Sequence, residues 1–439
     1  MTTRTQLVLA AAVTAAALAL AAPLATASQS TAAPEPTPAP LSIAPNPVPG
    51  NYIVTLDKGV DPAQLAERLE LKPTFVYRRA LNGFAVPLTP RQLDSVRVSP
   101  GVRAVEQDAK VVSPPKPVIK PDTRPDTKPD AKPDAKPDAN TKPGTQPETK
   151  PGTAPDTRAR AASWGLDRID QRWWDKRRGK GDGQFTPKRD GAGVTAYILD
   201  TGIDYNHDEF DPGRATFGFD TVGDGGQGMD CNGHGTHVAG TVGGKTYGVA
   251  HEVSLVSVRV LGCDGQGSIA GIIAGLDWVA KNAKQPAVLN ASLGADYSEA
   301  LNAAAEALSD TGVLPVIAAG NDAVDACRVS PASAERVFTV GASNRRDEQS
   351  VFSNHGRCLE LYAPGEAIVS AKLGGGSVSM DGTSMAAPHV TGAAVLYKQA
   401  RPNALSDEVA SFLSTEATKY ALSKISEDSP NSLLFTDGL

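Results

Sequence analysis

Residues 163–439 are predicted to form an α/β domain, a doubly wound, mostly parallel sheet with helices on both faces, preceded by a small α+β domain. Three observations carry the prediction. Short apolar runs alternate with longer Ala- and Leu-rich segments of helical period through the C-terminal two thirds of the chain. Asp200 and Asn321 fall directly after two of those runs, where open parallel sheets hold their ligands. Glycine is plentiful at 42 of 439 residues and aromatics are few at 5%, which suits a loop-rich α/β domain with closely packed backbone.

The length leaves room for two or three domains. Residues 1–27 read as a secretory signal: Arg4 is the only charge, residues 7–24 are rich in Ala and Leu, and Ala25-Thr26-Ala27 places small residues at a cleavage site. Apolar length alone would also permit a membrane anchor, but one Arg is a weak flank, so no stable membrane insertion is expected after the signal is removed. Residues 28–49 are rich in Pro, Ala and Thr and are expected to be disordered.

Residues 50–112 change character. Asn51-Tyr52-Ile53-Val54-Thr55-Leu56 alternates like a strand, and Asp61-Pro62-Ala63 opens a helix reaching Leu71. Strands at 75–77 and 83–86, a helix near 89–96 and an extended run over 102–111 complete a small unit. In residues 113–160 Lys-Pro-Asp recurs, as in Lys128-Pro129-Asp130 and Lys132-Pro133-Asp134. Proline at that density excludes helix and central strand and leaves an extended spacer reaching up to ~3.1 Å per residue. Its interleaved aspartates cancel its lysines, so an inert tether is favoured over a cell-wall or polyanion contact.

In the C-terminal domain, strands are expected at 194–199, 253–260, 287–293, 313–318, 337–340 and 359–362. Helices are expected at 269–283, 298–309 and 385–398, the last with Gly392 inside it for close backbone contact. The net charge is −6 and no basic stripe is present, so nucleic acid is not an expected partner.

Four stretches each end in, or contain, a residue that serine-hydrolase chemistry needs: Tyr197-Ile198-Leu199-Asp200-Thr201-Gly202, Asn232-Gly233-His234-Gly235-Thr236-His237, Ala318-Ala319-Gly320-Asn321 and Gly382-Thr383-Ser384-Met385-Ala386-Ala387-Pro388. Asp-Thr-Gly or Ala-Ala-Gly-Asn alone would be an ordinary turn; the Ser384 motif is specific by itself. The chain order Asp, His, Ser separates unrelated folds that share these roles. On these motifs the chain resembles the subtilases, most closely their secreted proteinase K-like branch. Residues 50–112 resemble the inhibitory propeptide of that family through Tyr52-Ile53-Val54, Leu81-Asn82-Gly83-Phe84-Ala85 and Val102-Arg103-Ala104-Val105-Glu106-Gln107-Asp108. The family's spacer between propeptide and protease is short, so residues 113–160 depart from its pattern.

The resemblance implies a secreted, extracellular serine endopeptidase made as a self-processing zymogen. Ser384 would be the nucleophile and His234 the base that returns its proton to the leaving amine. Asp200 would hold the imidazole tautomer. Asn321 and the Ser384 backbone N–H, at a helix start, would bind the oxyanion, with Pro388 near the first helical turn. Gly265-Gln266-Gly267 and Ser292-Leu293-Gly294 would flank an extended substrate backbone. Small residues at Ala319 and Gly320 and the lack of Asp or Glu in the walls 291–294 and 318–320 point to an apolar or aromatic side chain before the scissile bond.

The four cysteines after a secretory signal favour disulfides, and sequence alone permits three pairings. The resemblance implies Cys231–Cys263 and Cys327–Cys358. Cys231, His234 and His237 also stand at a spacing that can hold zinc, though a fourth ligand is not evident. Structural calcium is implied by the resemblance, at one site formed by Glu335, Val337 and Glu360, and at a second by Asp167, Asp170 and Gln171, whose later ligands are not evident near Arg177 and Arg178. No organic cofactor is expected. Expected partners are peptide substrates and the chain's own propeptide as an intramolecular inhibitor, with a monomeric enzyme. Two competing functions use the same residues differently: a catalytically silent surface-binding module on the spacer, and an esterase or peptide-cyclising transferase.

Overall fold

Helix signals and strand signals segregate into two layered units. The computed structural model describes residues 37–112, 161–436, 438 and 439; the signal expected at 1–27 and the spacer expected at 113–160 lie outside the described residues.

The N-terminal unit runs β1 (Leu41–Ser42), β2 (Pro47–Leu56), α1 (Pro62–Arg68), β3 (Phe75–Tyr77), β4 (Gly83–Pro87), α2 (Pro90–Arg97) and β5 (Val102–Val112). Asp61 caps α1 by accepting from Ala63 N and Gln64 N, and Thr89 with Gln92 forms a capping box on α2. Both helices begin with proline, which has no N–H to leave unpaired there. Val54, Leu56, Leu65, Phe84, Val86, Val96 and Val105 bury the unit's own core.

Residues 38–49, expected to be disordered with the rest of 28–49, instead form β1 and the start of β2. Proline lacks an N–H but keeps its carbonyl, so a proline-rich segment can still serve as an accepting sheet edge.

The C-terminal unit continues with α3 (Trp164–Ile169), β6 (Thr195–Asp200), β7 (Ala215–Asp220), α4 (His234–Gly243), β8 (Ser254–Arg259), β9 (Gln266–Ser268), α5 (Ile269–Asn282) and β10 (Ala287–Ala291). There follow β11 (Ala295–Asp296), α6 (Glu299–Ser309), β12 (Leu314–Ala318), β13 (Val329–Ser330), β14 (Phe338–Ser343) and β15 (Leu361–Pro364). The chain closes with β16 (Ile368–Ala371), β17 (Ser377–Met380), α7 (Thr383–Ala400), α8 (Ser406–Glu416), β18 (Thr418–Lys419) and β19 (Ser432–Leu433).

Among the described residues the large sheet has nine strands in the order β18-β19-β15-β14-β12-β10-β6-β8-β7. Every pairing in it is parallel except β18 with β19. Successive strands step to one side of β6 through β8 and to the other through β10, so β6 lies at the point where the order reverses. Helices α4 and α7 pack together on one face, and α5 and α6 pair on the other. Gly392 in α7 is required by closeness: a Cβ there would stand 2.4 Å from Val249 Cβ.

The two units share one apolar cluster. Ile53, Tyr77, Leu81, Ala85 and Val111 are buried with Ile269, Ala270, Ile273 and Leu301. Tyr77 Oη donates to Ala270 O at 2.9 Å, and Asp277 Oδ1 accepts from the N–H groups of Arg78, Arg79 and Ala80 at 2.9, 2.6 and 2.8 Å. Asp108 Oδ1 accepts from Ala270 N at 2.9 Å, and Glu106 Oε2 from Ala300 N at 3.3 Å, each in the first turn of a helix. A carboxylate placed there meets unpaired N–H groups and the positive end of the helix dipole.

Candidate active site

Asp200 ends β6 at the reversal point of the sheet, and His234 opens α4. Gly202 makes the intervening turn possible: its φ is +116°, and a Cβ there would press on Gly228 O and Asp230 N at 2.7 Å. His234 Nδ1 and Asp200 Oδ1 are 2.7 Å apart, with both side chains buried. Burial opposes the imidazolium, but the Asp200 carboxylate, with a lesser contribution from Asp230, outweighs it and holds the His234 pKa above its ordinary value.

Asp230 was not foreseen. Its Oδ1 accepts from Thr201 Oγ1, Asn232 N and Gly233 N, and its Oδ2 from Thr236 N and Thr236 Oγ1. One buried carboxylate therefore ties the turn after Asp200 to the first turn of α4.

Ser384 lies in the first turn of α7 and is 2% exposed. Its Oγ donates to Ser292 O at 3.2 Å, while His234 Nε2 is buried without a partner. The structure thus joins Asp200 to His234 but records no hydrogen bond between His234 and Ser384. Asn321 Oδ1 accepts from Thr383 N and Thr383 Oγ1 at 2.8 and 2.9 Å, which fixes its amide beside the Ser384 turn.

Pro388 is interior to α7, beyond the first turn where the sequence placed it. Its missing N–H frees the carbonyl of residue 384. Ser292 Oγ takes that carbonyl at 2.9 Å, and Asn290 Nδ2 in turn donates to Ser292 Oγ at 2.8 Å.

A cavity of about 520 Å³ opens beside these groups, lined on the C-terminal unit by Leu293, Gly294, Ala318, Gly320, Asn321 and Ser384 among others, and on the N-terminal unit by Asn46, Lys110 and Val111. Ala319, expected in the wall, is fully buried behind it, because side chains alternate along an extended chain. Asp296 and Asp322 extend the lining beyond the walls read from sequence, and both are exposed. Asn354, also unforeseen, holds the Gly320–Asn321 turn: its Nδ2 donates to Ala319 O at 2.8 Å, and its Oδ1 accepts from Asp322 N and Val324 N.

Of the expected backbone strands, Gln266 and Gly267 lie in β9, with Gly265 at its entry in a left-handed conformation, φ +75°. Antiparallel pairs join Lys110 to Ser268, Val111 to Gly267 and Val112 to Gln266. The end of β5 therefore occupies an edge expected to receive a peptide backbone.

Both disulfides, Cys231–Cys263 and Cys327–Cys358, are formed. The Cys231–His234–His237 zinc arrangement is excluded by that bond and by His237, whose Nε2 meets Ile368 O and Val378 O at 3.0 and 3.2 Å. Among the described residues, the group of candidate ligands that clusters is Asp224 with the disulfide-bonded Cys231 and Cys263.

Glu360 is half-buried and accepts from Thr339 N at 2.5 Å; desolvation pushes its carboxyl up to about 8. Val337 is buried and Glu335 exposed in the preceding turn. At the second expected metal site, Asp167 accepts from Gly181 N, Gly183 N and Gln171 Nε2. Asp170 Oδ1 is buried without a partner, and burial together with Asp182 and Asp167 pushes its carboxyl up to about 7. Asp182, returned by the 181–183 loop, supplies the acidic neighbour not found near Arg177 and Arg178.

Comparison with known proteins agrees with this geometry. Residues 191–432 match the model described as the subtilase family, and residues 51–112 match peptidase inhibitor I9. An extracellular serine proteinase of Thermus sp. (strain Rt41A) is 51% identical over 277 residues, 63% of this chain and 66% of that protein. Alkaline serine exoprotease A of Vibrio alginolyticus is 40% identical over 361 residues, 82% of this chain and 60% of that protein. Subtilisin-like protease 7 of Trichophyton tonsurans is 49% identical over 236 residues, 53% of this chain and 57% of that protein. The chain thus spans 57–66% of the length of these curated relatives. The crystal structure of a cold-adapted subtilisin-like serine proteinase aligns with TM-score 0.59 at 46% identity, covering 63% of this chain and 98% of that one.

Proposed function

The chain belongs to the subtilase family, and from that membership we propose that it is a secreted serine endopeptidase, made as a zymogen that an N-terminal inhibitor domain holds closed. The observation that carries this reading is the buried Asp200–His234 pair, 2.7 Å apart, with a partnerless His234 Nε2 beside a chain whose Ser384 and Asn321 line one cavity. The Ser384 hydroxyl turns from Ser292 O to His234 Nε2, gives up its proton there, and attacks a peptide carbonyl. The Ser384 N–H has no intrahelical acceptor in the first turn of α7, and with the Asn321 amide it receives the oxyanion. His234 then donates the proton to the leaving amine, and water releases the acyl group by the reverse path.

The substrate lies as β5 does now, paired on β9 with Leu293–Gly294 opposite. The small walls of the cavity favour an apolar or aromatic side chain before the scissile bond, and water screens the exposed Asp296 and Asp322. Secretion is supported by the relatives' names and by the signal-like N-terminus; among the described residues no helix is long and apolar enough to cross a membrane. Monomeric enzyme remains the expectation.

A serine-directed fluorophosphonate tests the nucleophile. Wild-type protein is expected to take the label and process itself, and Ser384→Ala to do neither; labelling of the mutant at the wild-type rate would overturn the assignment.

Structural calcium is proposed at Glu360 with the carbonyls of Glu335 and Val337. The half-buried, desolvated Glu360 lacks a cationic partner among the described residues, and a bound cation would compensate it. Asp167, Asp170, Gln171 and Asp182 fit a second cation less well, since Asp167 is already filled by backbone donors. Calcium would supply structural charge only. Calcium is expected to raise the melting temperature of the wild type and Glu360→Gln to reduce that gain; an unchanged gain would remove Glu360 from the site.

A further inference from the structure

The match to peptidase inhibitor I9 begins at residue 51, yet the described residues begin at 37 and are folded well upstream of it. Residues 38–46 start on the far side of the N-terminal unit and end at the cleft. Ala39 is buried there; its N–H donates to Arg97 O at 2.7 Å, and its carbonyl accepts from Arg97 Nε at 2.9 Å. Pro40 O then accepts from Val105 N at 2.9 Å, and β1 pairs with β5 in parallel, Leu41 with Val105 and Ser42 with Glu106.

Beyond β1 the segment reaches the protease. Ser42, Ile43, Ala44 and Pro45 wall a cavity of about 250 Å³ whose opposite side is Ile269, Asp296, Tyr297 and Glu299. Ala44 packs on the apolar cluster shared by the two units. Asn46 O accepts from Lys110 N at 2.9 Å, at the first residue of the segment where β5 runs along β9, and Asn46 lines the same cavity as Ser384.

We propose that residues 38–46 are a strap that holds the end of β5 in the cleft, so that the working inhibitor begins at residue 38. This deepens the zymogen reading and rests on it for the meaning of the cleft. Two N–H groups of β5, those of Val105 and Lys110, donate to carbonyls of the strap. The prolines that made the segment look disordered, at 38, 40, 45, 47 and 49, then have a physical role. Pro40 supplies a carbonyl to β5, none of them can donate to a further strand on the outer side, and they lower the entropy lost when the segment docks.

The test uses the full chain carrying Ser384→Ala, with hydrogen exchange read in peptides covering 102–112 and 266–268. Deleting 38–46 is expected to speed exchange there about tenfold or more, while β2, β3 and β4 keep wild-type protection. Ala39→Arg expels the strap at its buried anchor, leaves 47–112 unaltered, and decides the matter if the deletion does not fold. Unchanged exchange at 102–112 in a variant with protected β2–β4 overturns the strap. Self-processing of the Ser384→Ala chain would instead overturn the nucleophile assignment, without touching the exchange result.

Discussion

Pro388 determines how the turn that carries Ser384, the proposed nucleophile, is held. Inside α7 it cannot donate to the carbonyl four residues back, so Ser384 O would be a buried acceptor with no helical partner. Ser292 Oγ fills that vacancy while Ser292 O receives the Ser384 hydroxyl, so one residue contacts both ends of Ser384. Asn290 braces Ser292, and Thr391 Oγ1 braces Asn290 Oδ1 at 2.8 Å, which carries the support back into α7. Ser292 is therefore expected to act as a positioning residue, buried behind the cavity that Leu293 and Gly294 line. Ser292→Ala leaves the Ser384 carbonyl unsatisfied, a cost of about 1–3 kcal/mol. The expected outcome is a kcat lowered about tenfold or more with KM nearly unchanged, because the geometry of attack suffers and the β9 edge does not. A rise in KM at constant kcat would show that Ser292 serves only to bind.

Helix α5 shows what an element can reveal and conceal. Its helical period and length were legible in Ile269-Ala270-Gly271-Ile272-Ile273-Ala274-Gly275-Leu276, but its role as a docking post was not. Asp277 presents one carboxylate oxygen to three successive N–H groups of the inhibitor, a pattern no local sequence rule marks. Asp277→Ala should weaken the processed complex, so that activity appears on dilution at about tenfold higher protein concentration or more, since hydrogen bonds to charged groups are worth ~1.5–3 kcal/mol. Equal release would show that the apolar contacts alone hold the inhibitor. The same contrast runs through the fold. Strands β6, β10 and β12 were legible because they are buried on both faces and read as apolar runs. Helix α4 was not: it carries glycines, threonines and two histidines, poor helix formers, and is helical because all ten residues are buried. The β16–β17 hairpin and β7 were hidden by Gly374-Gly375-Gly376 and Gly218. At the site, motif residues could be read directly, whereas Asp230, Asn354 and Asp182 act through contacts that exist only once distant loops meet.

At the scale of the whole molecule, inhibitor and protease are joined by charge as well as by area. Glu106 and Asp108 leave water to meet the first turns of α6 and α5. Burial raises both carboxyl pKa values above their ordinary 4.5 and 3.8, although hydrogen bonds from Ser298 and Ala300, and from Ala270 and Ser268, pull the other way. An acid whose pKa is raised in the complex holds its proton more tightly there than after release, so association takes up protons. Its contribution is present in full below the released-state pKa and fades as pH rises through the raised value. The complex is thus expected to be tighter at mildly acidic pH and looser towards neutrality, in step with His234, the proposed base, which can take a proton only when deprotonated. Processed complex incubated at a series of pH values from about 4 to 8, then diluted into one common assay buffer, should show an initial free activity that climbs with incubation pH. Glu106→Gln combined with Asp108→Asn should flatten that climb while leaving the assay rate of fully released enzyme unchanged, since both residues lie in the part that matches the inhibitor I9 family. Free activity that falls with rising pH, or a slope indifferent to the double substitution, would mean that release is governed elsewhere in the interface.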